Sequence, residues 1–385
     1  MANDSAEIAA STLLWLANEK EVDLYYPAIV FTGFMTILGL LGNGFVIYVY
    51  GYRFRKTCAN VYIFWLSVID LVCCVLGIPF DIFQLRFPLL YGDAIPCKLF
   101  STVSIVAYAS QTLLLLCISR DRYYKICHPL KSFRFHSPHK NVAYAFILAL
   151  CISWPSVFVH GTKTIKMATP GIVATTCSID DSIDRLIPVL YFGFYLILAF
   201  ADFVVLLFVY INIIRVVYRR SRYNLRESTE TLPKVKPYNL LSGAKRTRST
   251  GEVFATELSL NCSQHTASGS NEQRKNLELQ KIAQVSKTTI IFLLVAVSFV
   301  FSYVPYLTIE LVLNLDNKID FRKQSIHVQQ LIEVASMAFC IGNVSNPIIY
   351  GIFNPNFRHE CCRLFSRQIK APAVRNTFPV SRRNV

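Results

Sequence analysis

Charge is scarce in this chain. Only 16% of its 385 residues are Asp, Glu, Lys or Arg, against 53% that are hydrophobic. An ordinary soluble domain carries about 25% charged residues, so the composition excludes one. Histidine is scarcer, with seven residues. His128, His136, His139 and His359 fall on basic segments, His265 in a polar stretch, and His160 and His327 at the ends of apolar runs. They supply no nucleophile–base pair and no metal cluster, so neither an enzyme nor a metal site is expected. Internal repeats are also missing, which weighs against a transporter built from related halves. No cleaved leader is expected either: the start is acidic, and the apolar core at 13–16 is too short.

What is present is long apolar runs. They recur near 27–51, 61–85, 99–120, 141–160, 187–214, 288–313 and 328–352. Each reaches the roughly 20 residues that cross a hydrocarbon core as a helix. Backbone groups in lipid must bond internally, so an all-α bundle of seven membrane helices is expected, its first span acting as signal anchor.

Loop charge orients the bundle. Segment 1–26 holds Asp4, Glu7, Glu19, Glu21 and Asp23 against Lys20. Arg53, Arg55 and Lys56 follow the first span, Lys125, Lys131, Arg134 and Lys140 the third, and the tail carries seven more basic residues from Arg358 to Arg383. Positive residues favour the cytoplasm, which puts the N-terminus outside, in a multi-pass protein of the plasma membrane. The net charge of +15 is therefore a topology signal, and nucleic-acid binding is not expected. Of twelve cysteines only Cys97 and Cys177 fall on the outer side, where an oxidising environment favours joining them. Asn3 begins the one outward glycosylation sequon.

Three regions follow: an extracellular segment 1–26, a seven-helix domain 27–352, and an amphipathic helix with a cytoplasmic tail over 353–385. Residues 219–280 are polar and poor in aromatics, the composition of a mostly disordered inner loop whose ends extend the flanking helices. Its Arg219-Arg220-Ser221 and Arg246-Thr247-Arg248-Ser249-Thr250 runs are kinase-type sites or plain solvated linker. After the last span Phe353, Phe357, Cys361, Leu364 and Phe365 share one helical face, with basic residues opposite. Such a helix lies along the inner leaflet, and Cys361-Cys362 are positioned for palmitoylation.

Three polar features interrupt the spans. Asp121-Arg122-Tyr123 ends the third, and a charge pair there is costly unless it is used. Asp70 sits in mid-span, with Asn43, Asn343 and Asn346 available to complete a polar cluster. Asn346-Pro347 with Tyr350 in the seventh span, and Pro305 among the aromatics of the sixth, mark kinks.

These landmarks, in order, are Gly42-Asn43, Asp70, Cys97, Asp121-Arg122-Tyr123, Pro129, Trp154, Cys177, Tyr210, Phe299, Pro305, and Asn346-Pro347 with Tyr350. Over all seven spans the chain resembles rhodopsin-like (class A) G-protein-coupled receptors, and DRYYKICHPLK resembles invertebrate neuropeptide-type members. The resemblance implies an agonist bound from outside and an outward swing of the sixth helix. Arg122, paired with Asp121 at rest, is then freed toward a heterotrimeric G protein and the Tyr210/Tyr350 region. Thr112, Phe299 and Tyr303 would carry the coupling, and arrestin, receptor kinases and membrane lipids are the implied partners.

The departures from the family pattern are informative. Tyr303 replaces its usual Trp, and Asp202 the usual proline of the fifth helix. Gln111 and Gly342 replace residues that help Asp70 hold sodium, which puts that ion in doubt; no cofactor is otherwise implied. Val285 replaces an acid that pairs with Arg122, so a weak inner lock and some basal activity are expected.

For the ligand, Ser104 stands where amine receptors carry Asp, and Cys340 where opsins carry the retinal Lys. Asp81, Glu310 and Glu333, in a pocket with Gln84, Ser104, Tyr108, Tyr303, Tyr306 and Met337, would suit a basic group; singly, each acid could equally be a solvated residue at the membrane edge. A peptide with Arg or Lys is the leading expectation, with a small non-amine or lipid ligand as the alternative.

Overall fold

The computed structural model describes residues 2–128, 137–167, 173–230, 288–315 and 324–369. Pro129, Val285, most of the polar stretch 219–280 and the tail beyond residue 369 lie outside these. Six helical segments among the described residues are long and apolar enough to cross a membrane, or seven if one bent pair is a single span. The chain is thus a seven-helix bundle.

The first span belongs to α1 (Ala2–Tyr48), which starts well before residue 27. Val30, Phe34, Ile37 and Leu41 are each more than half exposed, at helical spacing, and form an outward apolar stripe. The second combines α2 (Cys58–Val72), a widened π-type turn at Cys73–Gly77 and α3 (Ile78–Arg86). Thr57 starts α2 by accepting from the Asn60 amide. The widening falls where the Pro79 ring would otherwise strike the Val75 carbonyl. The third is α4 (Ala94–Cys127), opened by Asp93, whose carboxylate accepts from the Ile95 amide at 3.0 Å. The fourth is α5 (Pro138–Ser153) with the short α6 (Ser156–Val159). The fifth lies in α7 (Leu186–Glu230), which continues past Arg219 into the polar stretch. The sixth is α8 (Thr288–Leu315). The seventh is α9 (Ile326–Ser336) and α10 (Phe339–Phe353), and α11 (Pro355–Ile369) follows.

Prolines shape this bundle less directly than expected. The sharp bend of the seventh span, 55°, falls between α9 and α10 at Met337–Ala338. Pro347 instead lies inside an unbroken α10. Pro347 has no N–H for the Asn343 carbonyl four residues back. Asn43 of α1 donates to that carbonyl at 2.8 Å and replaces the lost bond. Gly42 makes the approach possible: a Cβ there would lie 2.8 Å from the Pro347 Cβ. Pro27 in α1 frees the Asp23 carbonyl in the same way, and Gln330 of α9 donates to it at 3.3 Å.

At one end of the bundle a hairpin of β1 (His160–Lys166) and β2 (Val173–Ile179) pairs Thr162 with Cys177. The Cys97–Cys177 disulfide ties it to the start of α4, with Cα atoms 5.6 Å apart. Lys98 and Asp180 add an ion pair at 3.3 Å. The early part of α1 is anchored nearby. Asn18 donates to the Arg86 carbonyl and accepts from the Leu89 amide, and Glu19 meets Arg86 at 2.7 Å. Glu19, counted among the acids of the N-terminal segment, is thus partnered within the bundle.

At the other end α11 turns against the π-type turn Val49–Arg53 that follows α1. Asn354 donates to the Tyr50 hydroxyl at 2.9 Å, the Phe357 ring stacks on Tyr50, and Arg53 pairs with Glu360 at 3.0 Å. The Arg53 guanidinium holds the Glu360 carboxyl below its usual range.

Candidate functional site

Two buried centres and one aromatic layer occupy the bundle axis. The first centre surrounds Asp70, which is fully buried with Asn43. Gln111 of α4 donates through one amide nitrogen to Asp70 Oδ1 at 2.6 Å and to Asn343 Oδ1 at 2.9 Å. Asn346 donates to Asp70 Oδ2 at 2.8 Å. Both carboxylate oxygens therefore already accept an amide N–H. The expected cluster of Asn43, Asp70, Asn343 and Asn346 is brought together, and Gln111 is its hub. Gly342 lets α8 close in beside it, for a Cβ there would lie 2.7 Å from Ser302 Oγ.

The second centre surrounds Arg122. Its guanidinium meets Asp121 Oδ2 at 3.2 Å, and Lys125 reaches the same oxygen at 2.9 Å. One carboxylate oxygen is shared by two cations. On the other side Arg122 lies over the Phe292 ring, 5.4 Å from its centroid. Phe292 is fully buried on α8 and was not singled out from the sequence. The available signal was an aromatic stripe: Phe292, Phe299 and Tyr306 repeat every seven residues, with Tyr303 between. Tyr210 is buried within electrostatic reach of Arg122. Tyr350 is buried against Tyr50 and Phe357, with ring centroids 6.0 and 6.5 Å away. Tyr123 packs on Tyr124 and His128.

The aromatic layer lies toward the hairpin. Tyr303 meets Tyr108 edge-on at 4.5 Å and stacks on Phe299 at 5.2 Å. Phe339 joins Tyr108 and Tyr306 at 5.5 and 5.4 Å, and Met337 packs on the same cluster. Asp81 and Glu310 both act electrostatically on Tyr306, and Glu310 in turn feels Glu333 and Lys163 of β1. Asp81 is thus within electrostatic reach of Tyr108 and Tyr306, Glu310 of Tyr306, and Glu333 of Glu310. Ser104 does not join them so directly: its hydroxyl would lie 3.2 Å from a Cβ on Gly77, so it packs against the second span. Gln84 is half-buried on α3.

Lys163 was not foreseen. It brings a cation from the hairpin to the acids, a position that apolar patterning cannot reveal. Asp202 was singled out only as an odd residue. It is buried on α7, 6% exposed, and its Oδ1 has no hydrogen-bond partner among the described residues. Among cysteines expected to carry lipid, Cys361 is half-buried and Cys362 exposed on α11. The side chain of Asn3 is not among those described. His160 is buried against Ser156, outside these centres, and burial lowers its pKa.

Residues 42–350 match the family model of the 7 transmembrane receptors (rhodopsin family). Over 134 residues the chain is 37% identical to the C3a anaphylatoxin chemotactic receptor of Cavia porcellus, covering 34% of this chain and 27% of that protein. It is 33% identical over 155 residues to nematocin receptor 2 of Caenorhabditis elegans, covering 37% and 39%. It is 28% identical over 181 residues to neuromedin-U receptor 2 of Mus musculus, covering 43% and 44%. The chain spans less than half the length of each of these curated relatives.

Proposed function

The chain belongs to the rhodopsin family of seven-transmembrane receptors, and on that premise we propose that it is a plasma-membrane receptor for a basic peptide that signals through heterotrimeric G proteins. One observation carries the reading: Asp81 and Glu310 lie within electrostatic reach of Tyr306, and Glu333 of Glu310, beside the packed rings of Tyr108, Tyr303 and Tyr306. Half-buried carboxylates above aromatic rings fit an Arg or Lys side chain, through charge and through cation–π contact. Lys163 shields Glu310 until a ligand cation displaces it. Relatives named for C3a anaphylatoxin, neuromedin-U and nematocin agree with a peptide rather than an amine or a lipid.

In this reading the N-terminus is extracellular, and Asn3 carries glycan. A ligand that fits one arrangement of α8 better than another shifts the population between them. Outward movement of α8 takes Phe292 off Arg122 and exposes the guanidinium to the G protein. Arrestin and receptor kinases act at the same end. Cys362 takes palmitate more readily than the half-buried Cys361. A sodium ion at Asp70 would have to share its oxygens with the amides of Gln111 and Asn346, which weighs against that site.

The test is a peptide-library screen on cells reporting calcium, cyclic AMP and arrestin recruitment together. A basic peptide should act on the parent receptor, and Glu310→Gln should weaken it. Unchanged potency in Glu310→Gln refutes the acidic pocket, and responses confined to amines or lipids refute the peptide.

A further inference from the structure

The fifth span contains a carboxylate that the switch does not use. Asp202 lies in the middle of α7, among Ala201, Phe203 and Val204. Its side chain is more than nine-tenths buried, and Oδ1 has no partner among the described residues. A carboxylate in apolar surroundings is costly unless something satisfies it. It lines a cavity of about 260 Å³ enclosed by α4, α5, α7 and α8. The rest of the wall is almost wholly apolar and aromatic. Tyr108, Thr112, Phe299 and Tyr303 form its inner side.

The cavity reaches the outside of the bundle. Leu198, Val205 and Val304 belong to its wall and are 37%, 46% and 38% exposed. These side chains lie on the membrane-facing surface, so a ligand enters from lipid and not through the acidic mouth near the hairpin. At about 30 Å³ per water, the space holds roughly nine to a dozen heavy atoms. That is below the roughly 300–1,000 Å³ of drug-sized sites.

We propose that this cavity is a lateral binding site for a small lipophilic amine, whose ammonium pairs with Asp202 and whose hydrocarbon part fills the space beside Phe299 and Tyr303. The chemistry selects each part. An ammonium supplies the charge and the donors that the buried carboxylate lacks. The apolar walls reject a peptide and accept an aromatic or alkyl body. Phe299, Tyr303 and Tyr108 add faces for cation–π contact. The occupant touches α4 at Thr112 and α8 at Phe299, one heptad from the Phe292 that covers Arg122. A ligand bridging helices that must separate fits one arrangement better than the other, so it biases the switch from the lipid side, beneath the Tyr108 and Tyr303 rings that the peptide pocket shares and away from its acids.

Thermal unfolding of the purified full-length receptor in detergent tests this without G protein or peptide. The probes are 4-phenylbutylamine, its alcohol analogue 4-phenylbutan-1-ol, and butylbenzene. The amine should raise the melting temperature of the parent saturably, the alcohol less, and butylbenzene least. Asp202→Asn should abolish the shift. Ala109→Leu fills the cavity while keeping the carboxylate, and it should abolish the shift too. Glu310→Gln should retain it, which separates this site from the peptide pocket whatever becomes of that reading. An equal shift in Asp202→Asn or Ala109→Leu overturns the proposal. So does an equal shift with butylbenzene, or loss of the shift in Glu310→Gln.

Discussion

Replacing Gln111 by Leu should be among the most damaging single changes in the bundle core, although it barely alters volume. The Gln111 amide serves two buried acceptors, Asp70 Oδ1 at 2.6 Å and Asn343 Oδ1 at 2.9 Å. Leu fills similar space but donates to neither, so cavity formation contributes little. The loss comes from stranding two acceptors, at about 1–3 kcal/mol each when buried. A central value of about 4 kcal/mol corresponds to a melting temperature lower by roughly 5 °C for a chain of 385 residues. Detergent-solubilised parent and variant would be compared by a fluorescence melt. A difference under about 2 °C would refute the idea that the Gln111 bonds hold α4 to α2 and α10. Adding Asp70→Leu removes one stranded acceptor, and the double variant should recover part of the loss. Gln111→Ser carries the reasoning further. It empties the space beside Asp70, so the variant should be stabilised by sodium more than the parent is, at constant ionic strength.

Four other outcomes follow from named contacts. Asp121→Asn should raise agonist-free signalling about fivefold, since a partly buried pair shared with Lys125 is worth about 1 kcal/mol; a reporter level equal to the parent's would count against the lock. Phe292→Leu should raise it as well, with receptor expression matched by surface labelling, because the ring over Arg122 is lost. Gly42→Ala should cost about 1–3 kcal/mol in a melt, because its methyl group collides with Pro347 and draws Asn43 off its carbonyl. Acidification should loosen the hairpin. The Ser182 hydroxyl and amide, with Lys98, hold the Asp180 carboxyl below its usual range. The folded state thus favours the charged form, and this contribution is complete above the unfolded carboxylate's pKa of about 3.9 and fades as pH falls below it. Hydrogen-exchange protection factors in β1 and β2, corrected for the intrinsic rate at each pH, should fall there relative to pH 6, and Asp180→Asn should flatten the dependence.

Much of the architecture was legible because membrane helices announce themselves by length and apolarity. The side chains gathered around Asp70 were legible too, since polar residues in a span have few places to go. Backbone acceptors were not. Asn43 bonds the carbonyl of Asn343 and not its side chain, and that follows from where Pro347 withholds a donor. The bend of the seventh span was assigned to Pro347 because proline breaks helices, yet Asn43 compensates the missing bond there. The chain turns instead at Met337–Ala338, where Cys340 and Ile341 donate to carbonyls three residues back. Phe292 was hidden because an aromatic in an apolar run carries no mark of its partner. Asp202 stood out by chemistry, while the space beside it depends on how four helices lean together.

The carbonyl left open by Pro347 also bears on how the chain assembles. In water a bare carbonyl is capped by solvent, and a misplaced neighbour costs little. Inside lipid no such cap exists. If α1 slid one turn along α10, Gly42 would leave Pro347 and the Asn343 oxygen would face hydrocarbon. The Asn43–Asn343 contact therefore penalises wrong pairings more than it strengthens the right one. It acts as a proofreading mark for helix registration between the first span inserted and the last, 300 residues apart in sequence.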